Sequence, residues 1–257
     1  MPFISASAIT PYNSIRGGAA GGALDPILAY SPFNVWDSEH VTIDGDVTTL
    51  LDYNNVGAAY DLANPAASNQ PTYNASSSDF NSLPSFTFDG IADYVINSVN
   101  DFRGADTSGF IVSVFKLIGG YRMDILTSAS ESVNFRFVEQ SFFGSSAQYS
   151  FRSGGAPTTV NSMERAITVG DATIQGLSGD GTNFVPYDEA GEMTFTLSDS
   201  YRWFDGVTGR ENIAIGGWLR PASGYSNIEW CFSGYFPYVD DATTLEIIAI
   251  LKTKYAI

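Results

Sequence analysis

The sequence predicts an all-β protein, an antiparallel β-sandwich with a short N-terminal arm and one C-terminal helix. Three observations carry this. Short apolar runs recur along the chain with 25 Gly and 11 Pro scattered between them, which is the punctuation of strands and turns. Within many of these runs apolar and polar residues alternate, the two-residue period of a half-buried strand. Helical periodicity is absent until the C-terminus. A length of 257 residues suits one large sandwich, and 44% hydrophobic with 14% aromatic residues supply its core.

Residues 1–24 differ from the rest of the chain, being small, Gly-rich and nearly uncharged. Between Met1 and Leu24 at their two ends, Phe3, Ile4, Ile9, Tyr12 and Ile15 are the sizeable apolar groups, Arg16 is the first cation, and the Gly-Ala run at 17–22 reads as a flexible joint. Such a segment cannot bury itself. The reading is a docking arm over 1–24, with those five residues and Arg16 as its contacts, followed by a sandwich over 25–257; a disordered tail is the competing reading.

The strands follow in order. Val41, Thr42 and Ile43 alternate before Asp44-Gly45-Asp46, a hairpin signal leading into residues 47–51. Residues 64–82 form a long polar loop that packs on the sandwich. Phe86 and Phe88 share one buried face of a strand, Asp89-Gly90 predicts a hairpin turn, and residues 91–96 predict its second strand with Tyr94 and Ile96 in phase. Residues 110–115 are apolar without a break, which suits the middle of a sheet covered on both faces. Residues 123–126, 133–138 and 147–152 continue the set, with Arg136 and Arg152 expected to face solvent. Residues 166–169, 193–197, 213–215 and 228–232 complete it. The helix is expected over 242–252 behind an Asp240-Asp241 cap, with Leu245, Ile247, Ile248 and Leu251 inward and Lys252 and Lys254 in its last turn.

Composition excludes several functions. Twelve Lys and Arg against 28 Asp and Glu give a formal charge of −16, which repels nucleic acid and anionic membranes. No window approaches 18 consecutive apolar residues, and the start has neither a basic region nor an apolar run of the secretory kind. Cys231 is the only cysteine; between Trp230 and Phe232 it reads as a small buried apolar group.

The chemistry-bearing residues are sparse. One histidine, His40, and one cysteine leave little for zinc or thiol chemistry, and neither a Gly-x-Ser-x-Gly nor a phosphate-binding Gly-rich loop is found. A β-glucan-cleaving sandwich needs a Glu-x-Asp-x-x-Glu strand, which the chain lacks; Glu189 and Glu192 lie three apart in a Gly-containing loop. The expectation is no catalytic residue, no enzyme and no cofactor. Asp44, Asp46, Asp89, Asp93 and Asp180 sit in turns where oxygens could converge on calcium, although turn chemistry explains them equally, and the metal question stays open. For carbohydrate, Tyr201 and Trp203 in one segment and Trp218 and Tyr225 in another offer aromatic faces beside polar groups, and they are the candidate ligand-binding residues. The competing reading makes Trp203 and Trp218 core or subunit-interface residues.

Two resemblances add to this. Asn69-Gln70-Pro71-Thr72-Tyr73, Leu83-Pro84, Phe86-Thr87-Phe88-Asp89-Gly90 and Asp93-Tyr94-Val95 resemble the opening of a concanavalin A-like (laminin-G-type) jelly-roll domain. The segment 56–62, the Ile213-Ala214-Ile215-Gly216 strand and the end closing on Lys254-Tyr255 extend that resemblance to roughly residues 35–257. One departure is Tyr235-Phe236-Pro237-Tyr238 where the family continues with an acidic residue in a strand, so the last core strand is expected to end early. The resemblance implies a binding module and does not name the ligand. The opening, Ser7-Ala8, Thr10-Pro11-Tyr12-Asn13-Ser14 and Arg16-Gly17-Gly18, resembles the openings of virion structural proteins of tailed phages of marine bacteria. That likeness implies a virion surface protein, a tail or head fibre or a capsid decoration, anchored to other virion proteins by its arm, presenting its sandwich to a host glycan and assembling as a homotrimer. The alternative is a carbohydrate-binding module or degenerate glycanase not tied to a virion.

Overall fold

The computed structural model describes residues 25–53, 59–119, 122–133, 136–143, 146–153, 158–162, 167–197, 201–218 and 224–257. The arm, with Phe3, Ile4, Ile9, Tyr12, Ile15 and Arg16, lies outside the described residues, as do residues 56–58 of segment 56–62. Among the described residues there are twenty strands. In chain order they are β1 (Asn34–Asp37), β2 (Val41–Asp44), β3 (Val47–Leu50), β4 (Leu62–Ala63), β5 (Thr72–Asn74), β6 (Ser85–Asp89), β7 (Val95–Asn97), β8 (Gly109–Gly119), β9 (Arg122–Ala129), β10 (Arg136–Phe143), β11 (Ser146–Ser153), β12 (Thr158–Ser162), β13 (Ala172–Gly179), β14 (Phe184–Asp188), β15 (Gly191–Glu192), β16 (Phe195–Leu197), β17 (Ile213–Ile215), β18 (Gly217–Trp218), β19 (Gly224–Tyr225) and β20 (Asn227–Phe236). A short helix, α1 (Asp25–Leu28), opens the body and α2 (Asp241–Tyr255) closes it.

Two antiparallel sheets form the sandwich, as the sequence predicts. An eight-stranded sheet runs β15-β14-β13-β8-β20-β6-β5, with β1 also pairing with β20. A ten-stranded sheet runs β16-β12-β11-β10-β9-β17-β7-β4-β3-β2, and β18 and β19 form a separate two-stranded ribbon. Strand β20 is long enough to hold two partners along one edge, β6 at residues 227–230 and β1 at residues 232–235.

The unbroken apolar run in β8 has a simple cause, since its strand is covered on both faces. Ile111, Phe115 and Leu117 point between the sheets, whereas Phe110, Val112 and Val114 point to a second core beneath α2. Antiparallel sheets usually wet one face; here α2 covers the central strands of the smaller sheet. Helix α2 is capped as expected, with the Asp240 carboxylate accepting from Thr243 N at 2.9 Å. Burial of Thr244, Ile247, Ile248, Leu251, Lys254 and Tyr255 defines its inner face. Leu245, expected inward, is 43% exposed, because the stripe is set by Thr244 and Ile248.

Several expectations are corrected. Asp89-Gly90 does not close a hairpin: β6 and β7 belong to different sheets, and the Asp89 carboxylate accepts from the amides of Ile91, Ala92 and Asp93 to hold a crossing turn. By contrast, the turn at Gly45-Asp46 does join β2 to β3, with Asp44 opposite Val47. The last core strand does not end early, since β20 pairs with β8 through Phe236. Of the stretch expected as a strand at 166–169, residues 167–169 lie outside any strand and lead to β13, a central strand of small residues that the apolar pattern does not reveal. Arg136 and Arg152, both expected to face solvent, are each half-buried, Arg136 in phase with Val138 and Gln140 and Arg152 on the opposite face of the sheet. The family-like Gly216, at φ +80°, lies where any Cβ would run into the Phe88 ring.

Candidate functional site

The four residues proposed for ligand binding do not form one site. Strand β8 separates them: Tyr201 bonds to Thr107 just before Gly109, while Asn227, two residues after Tyr225, pairs with Gly119 at the other end. Ten residues of strand span about 33 Å.

At the Tyr201 end the aromatic rings are structural. Trp203 is fully buried, stacked on Phe151 with centroids 5.1 Å apart, and its Nε1 donates to the Tyr235 hydroxyl at 2.9 Å. That hydroxyl in turn donates to Asp106 Oδ2 at 3.0 Å. Trp203 therefore presents no face to a ligand, and the core reading of it is the one the structure supports. Tyr201 is stacked on Phe184 at 4.5 Å, donates its hydroxyl to Thr107 O at 2.9 Å and accepts from Gly181 N at 3.1 Å. Burial, with Asp180 and Asp205 nearby, pushes its phenol up to about 12 against the pull of the Gly181 N–H. Next to this end Arg210 is wholly buried, donating to Phe204 O, Val207 O and Ser128 Oγ, and desolvation lowers its guanidinium to about 10.

At the other end, the β18–β19 ribbon and the residues flanking it are held to β9. Thr127 donates from Oγ1 to Gly217 O at 2.8 Å, Asp124 N donates to Ser226 Oγ at 2.6 Å, and Gly216 N donates to Ile125 O. Tyr225 lies on Tyr94, centroids 5.8 Å apart and planes 25° apart, with both rings half-buried. Burial pushes the Tyr94 phenol up, and Tyr225 and Glu131 add to the effect, so it stays a neutral hydroxyl. Trp218 pairs through its backbone with Gly224, and its ring lies outside the described residues.

The sheet face beside that ribbon is polar. Gln140 is fixed inward by Ser113, which donates to its Oε1, and by its own donation to Gln175 O. Alternation then turns Glu139 and Ser141 outward, and register places them opposite Thr127 and Ser150, and opposite Asp124 and Gln148, respectively. Asp124, Thr127, Glu139, Ser141 and Ser150 are nearly fully buried, and Gln148, Arg152 and Thr159 are half-buried around them. Gln148 donates to Ser150 Oγ at 2.7 Å. Carboxylates, hydroxyls, an amide and a guanidinium thus make a floor, and the Tyr94–Tyr225 pair stands at one side. The signal for this floor was present in the polar phase of β10 and β11, but nothing local says which phase faces out.

The remaining candidates are occupied by the fold. The Asp180 carboxylate accepts from Thr182 N and Asn183 N at 2.6 Å each, and these bonds hold it below the usual carboxylate range. Asp89 is held low by its three amides, and desolvation together with Asp89 raises Asp93. Among the described residues no group of three metal-ligating side chains is found. Glu189 accepts from Thr173 Oγ1 and Ile174 N. His40 Nδ1 lies 2.7 Å from Asp37 Oδ1 and its ring rests on Tyr53.

No protein-family model matches this sequence, and no curated protein does. Among solved structures, the binding domain of botulinum neurotoxin DC, in complex with rat synaptotagmin II, is similar at 11% identity with a TM-score of 0.55 over 86% of this chain and 52% of that one. The K499G mutant of the NanB sialidase from Streptococcus pneumoniae matches at 11% and 0.51 over 63% and 27%, and a leech intramolecular trans-sialidase complexed with 2,7-anhydro-Neu5Ac at 14% and 0.50 over 64% and 27%. The described body shares the β-sandwich fold with them. The chain spans about half of the toxin domain and about a quarter of each sialidase chain, so the likeness is one of fold.

Proposed function

We propose that this chain is a non-enzymatic surface protein of a tailed-phage virion, docked by its N-terminal arm and presenting the outer face of its ten-stranded sheet to a glycan. The observation that carries the glycan reading is the half-exposed Tyr94–Tyr225 pair at the side of a polar sheet face, on which Gln148, Arg152 and Thr159 are the half-buried groups around the enclosed Asp124, Thr127, Glu139, Ser141 and Ser150. Sugar rings stack their C–H faces on aromatic groups and exchange hydrogen bonds with carboxylates, amides and guanidinium. The sugar-bound trans-sialidase, similar in fold, supports this choice of ligand class. The virion assignment rests on the opening sequence alone, and the homotrimer on the symmetry usual for such projections. A carbohydrate-binding module outside a virion would use the same face.

One observation favours a glycanase instead: Asp124 and Glu139 lie diagonally on neighbouring strands of one face, as paired carboxylates do in enzymes that cleave glycosidic bonds. Incubating the purified protein with each glycan it retains separates the two. A binder returns the glycan intact, whereas steady release of new reducing ends overturns the non-enzymatic reading. Loss of incorporation into particles on deletion of residues 1–24 is the expected result for the arm, and unchanged incorporation rejects it.

A further inference from the structure

Helices α1 and α2 border a groove of about 410 Å³ lined by Pro26, Ala249, Ile250, Thr253 and the stem of Lys254. Its polar atoms are already committed. The Thr253 hydroxyl donates to Ala249 O at 2.8 Å, and the Lys254 ammonium turns inward to pair with Glu39, with Asp37 Oδ2 at 3.8 Å. What remains is an apolar slot open to solvent, in which Ala249 and Thr253 are exposed.

The position of this slot names its occupant. Pro26 is a wall of the groove and also stands at the start of the body, so residues 1–24 leave the sandwich from the groove's rim. Going back from that point, eight residues, 17–24, separate the body from Arg16, four of them Gly. Extended, they reach about 26 Å, enough to double back along a helix, and Gly supplies the reversal. Beyond Leu24, which adjoins the body, the first large apolar groups met on that path are Ile15 and Tyr12. Glu246, one turn before Ile250 on α2, supplies an anion near the groove for Arg16, the only cationic side chain of the arm. A tether this short presents the segment at millimolar effective concentration.

We propose that the groove is the seat of this chain's own arm, filled by Tyr12 and Ile15, with the Gly-rich run as the return. Phe3, Ile4 and Ile9 are then the portion left to engage another protein. The seat lies on the helix side of the molecule, remote from the glycan face and independent of it.

The buried Cys231 leaves the protein without an accessible thiol, so Ala249→Cys introduces a single reporter. Its rate of maleimide labelling is measured in the full chain, in Tyr12→Ser/Ile15→Ser and in Phe3→Ser/Ile4→Ser, each at two protein concentrations. The seat predicts labelling at least about tenfold slower in the full chain than in Tyr12→Ser/Ile15→Ser, unchanged protection in Phe3→Ser/Ile4→Ser, and no dependence on concentration. Equal rates in all three overturn it. So does protection that vanishes on dilution, which would place another copy in the groove. These substitutions lie in the arm, and circular dichroism melts that coincide with the parent's establish that the body is intact.

Discussion

Two aromatic segments with similar composition, 201–206 and 218–225, end in opposite roles. In the first, Trp203 and Phe204 are inserted between the sheets and Tyr201 seals the edge of that stack; in the second, Tyr225 sits in a ribbon laid over a polar sheet face. The difference lies in what the chain does next to each. Segment 201–206 follows β16 at the edge of the larger sheet and passes through the interlayer, where Phe151, Phe184 and Tyr235 wait for it. Strands β18 and β19 lie between β17 in one sheet and β20 in the other, and Gly224 and Tyr225 there are half-buried. An aromatic next to polar residues is thus a ligand platform only where topology keeps one of its faces uncovered.

This contrast can be broken most severely at Trp203. Trp203→Ala empties the centre of the interlayer and is expected to cost about 3–5 kcal/mol in denaturant unfolding, with glycan affinity of the folded fraction unchanged; a loss of affinity without a loss of stability would reverse the assignment. Nearly as large an effect is expected on the helix side from Lys254→Met. It strands the buried Asp37 carboxylate and should cost about 3 kcal/mol or more. The triple change Lys254→Met/Asp37→Asn/Glu39→Gln should recover most of that, and failure to recover would show that packing, not charge, holds α2.

At the other segment the effect on stability is smaller and the effect on binding larger. Tyr225→Ala removes a stacked pair worth about 0.5–1.5 kcal/mol and should abolish glycan binding measured by calorimetric titration. The smallest change is Tyr201→Phe, expected to cost about 1 kcal/mol for the two lost hydrogen bonds, and it carries a pH signature. The folded phenol, raised to about 12, holds its proton above the unfolded value near 10. Its contribution is therefore fully present below about pH 10 and is lost as pH rises from about 10 towards 12. Unfolding curves of the parent should show that alkaline slope and those of Tyr201→Phe a shallower one, since Tyr149, Tyr187 and Tyr235 are raised as well and remain.

Much of the fold was legible because it depends on local pattern. The alternation of Phe86 and Phe88, the unbroken run of β8 and the Asp240 cap each state their environment within a few residues. What was not legible depends on partners remote in sequence. Asp89-Gly90 has the chemistry of a hairpin, but β7 joins the other sheet, and only the pairing of β7 with β17 shows it. The pattern places Lys254 in the last turn of α2, but its burial against Asp37 and Glu39 depends on β1 and the turn after it. The candidate site shared this fate: Tyr225 was read from its aromatic segment, whereas Glu139, Thr127 and Asp124 gather only through the register of β9 with β10, including the bulge at Gln140.

Glycan-array screening of the intact protein beside Tyr225→Ala and Tyr201→Phe puts the face assignment to its plainest test. Selective, saturable binding by the parent and by Tyr201→Phe, with none by Tyr225→Ala, is the predicted result. Equal binding by all three proteins, or no selective binding by the parent, would contradict it.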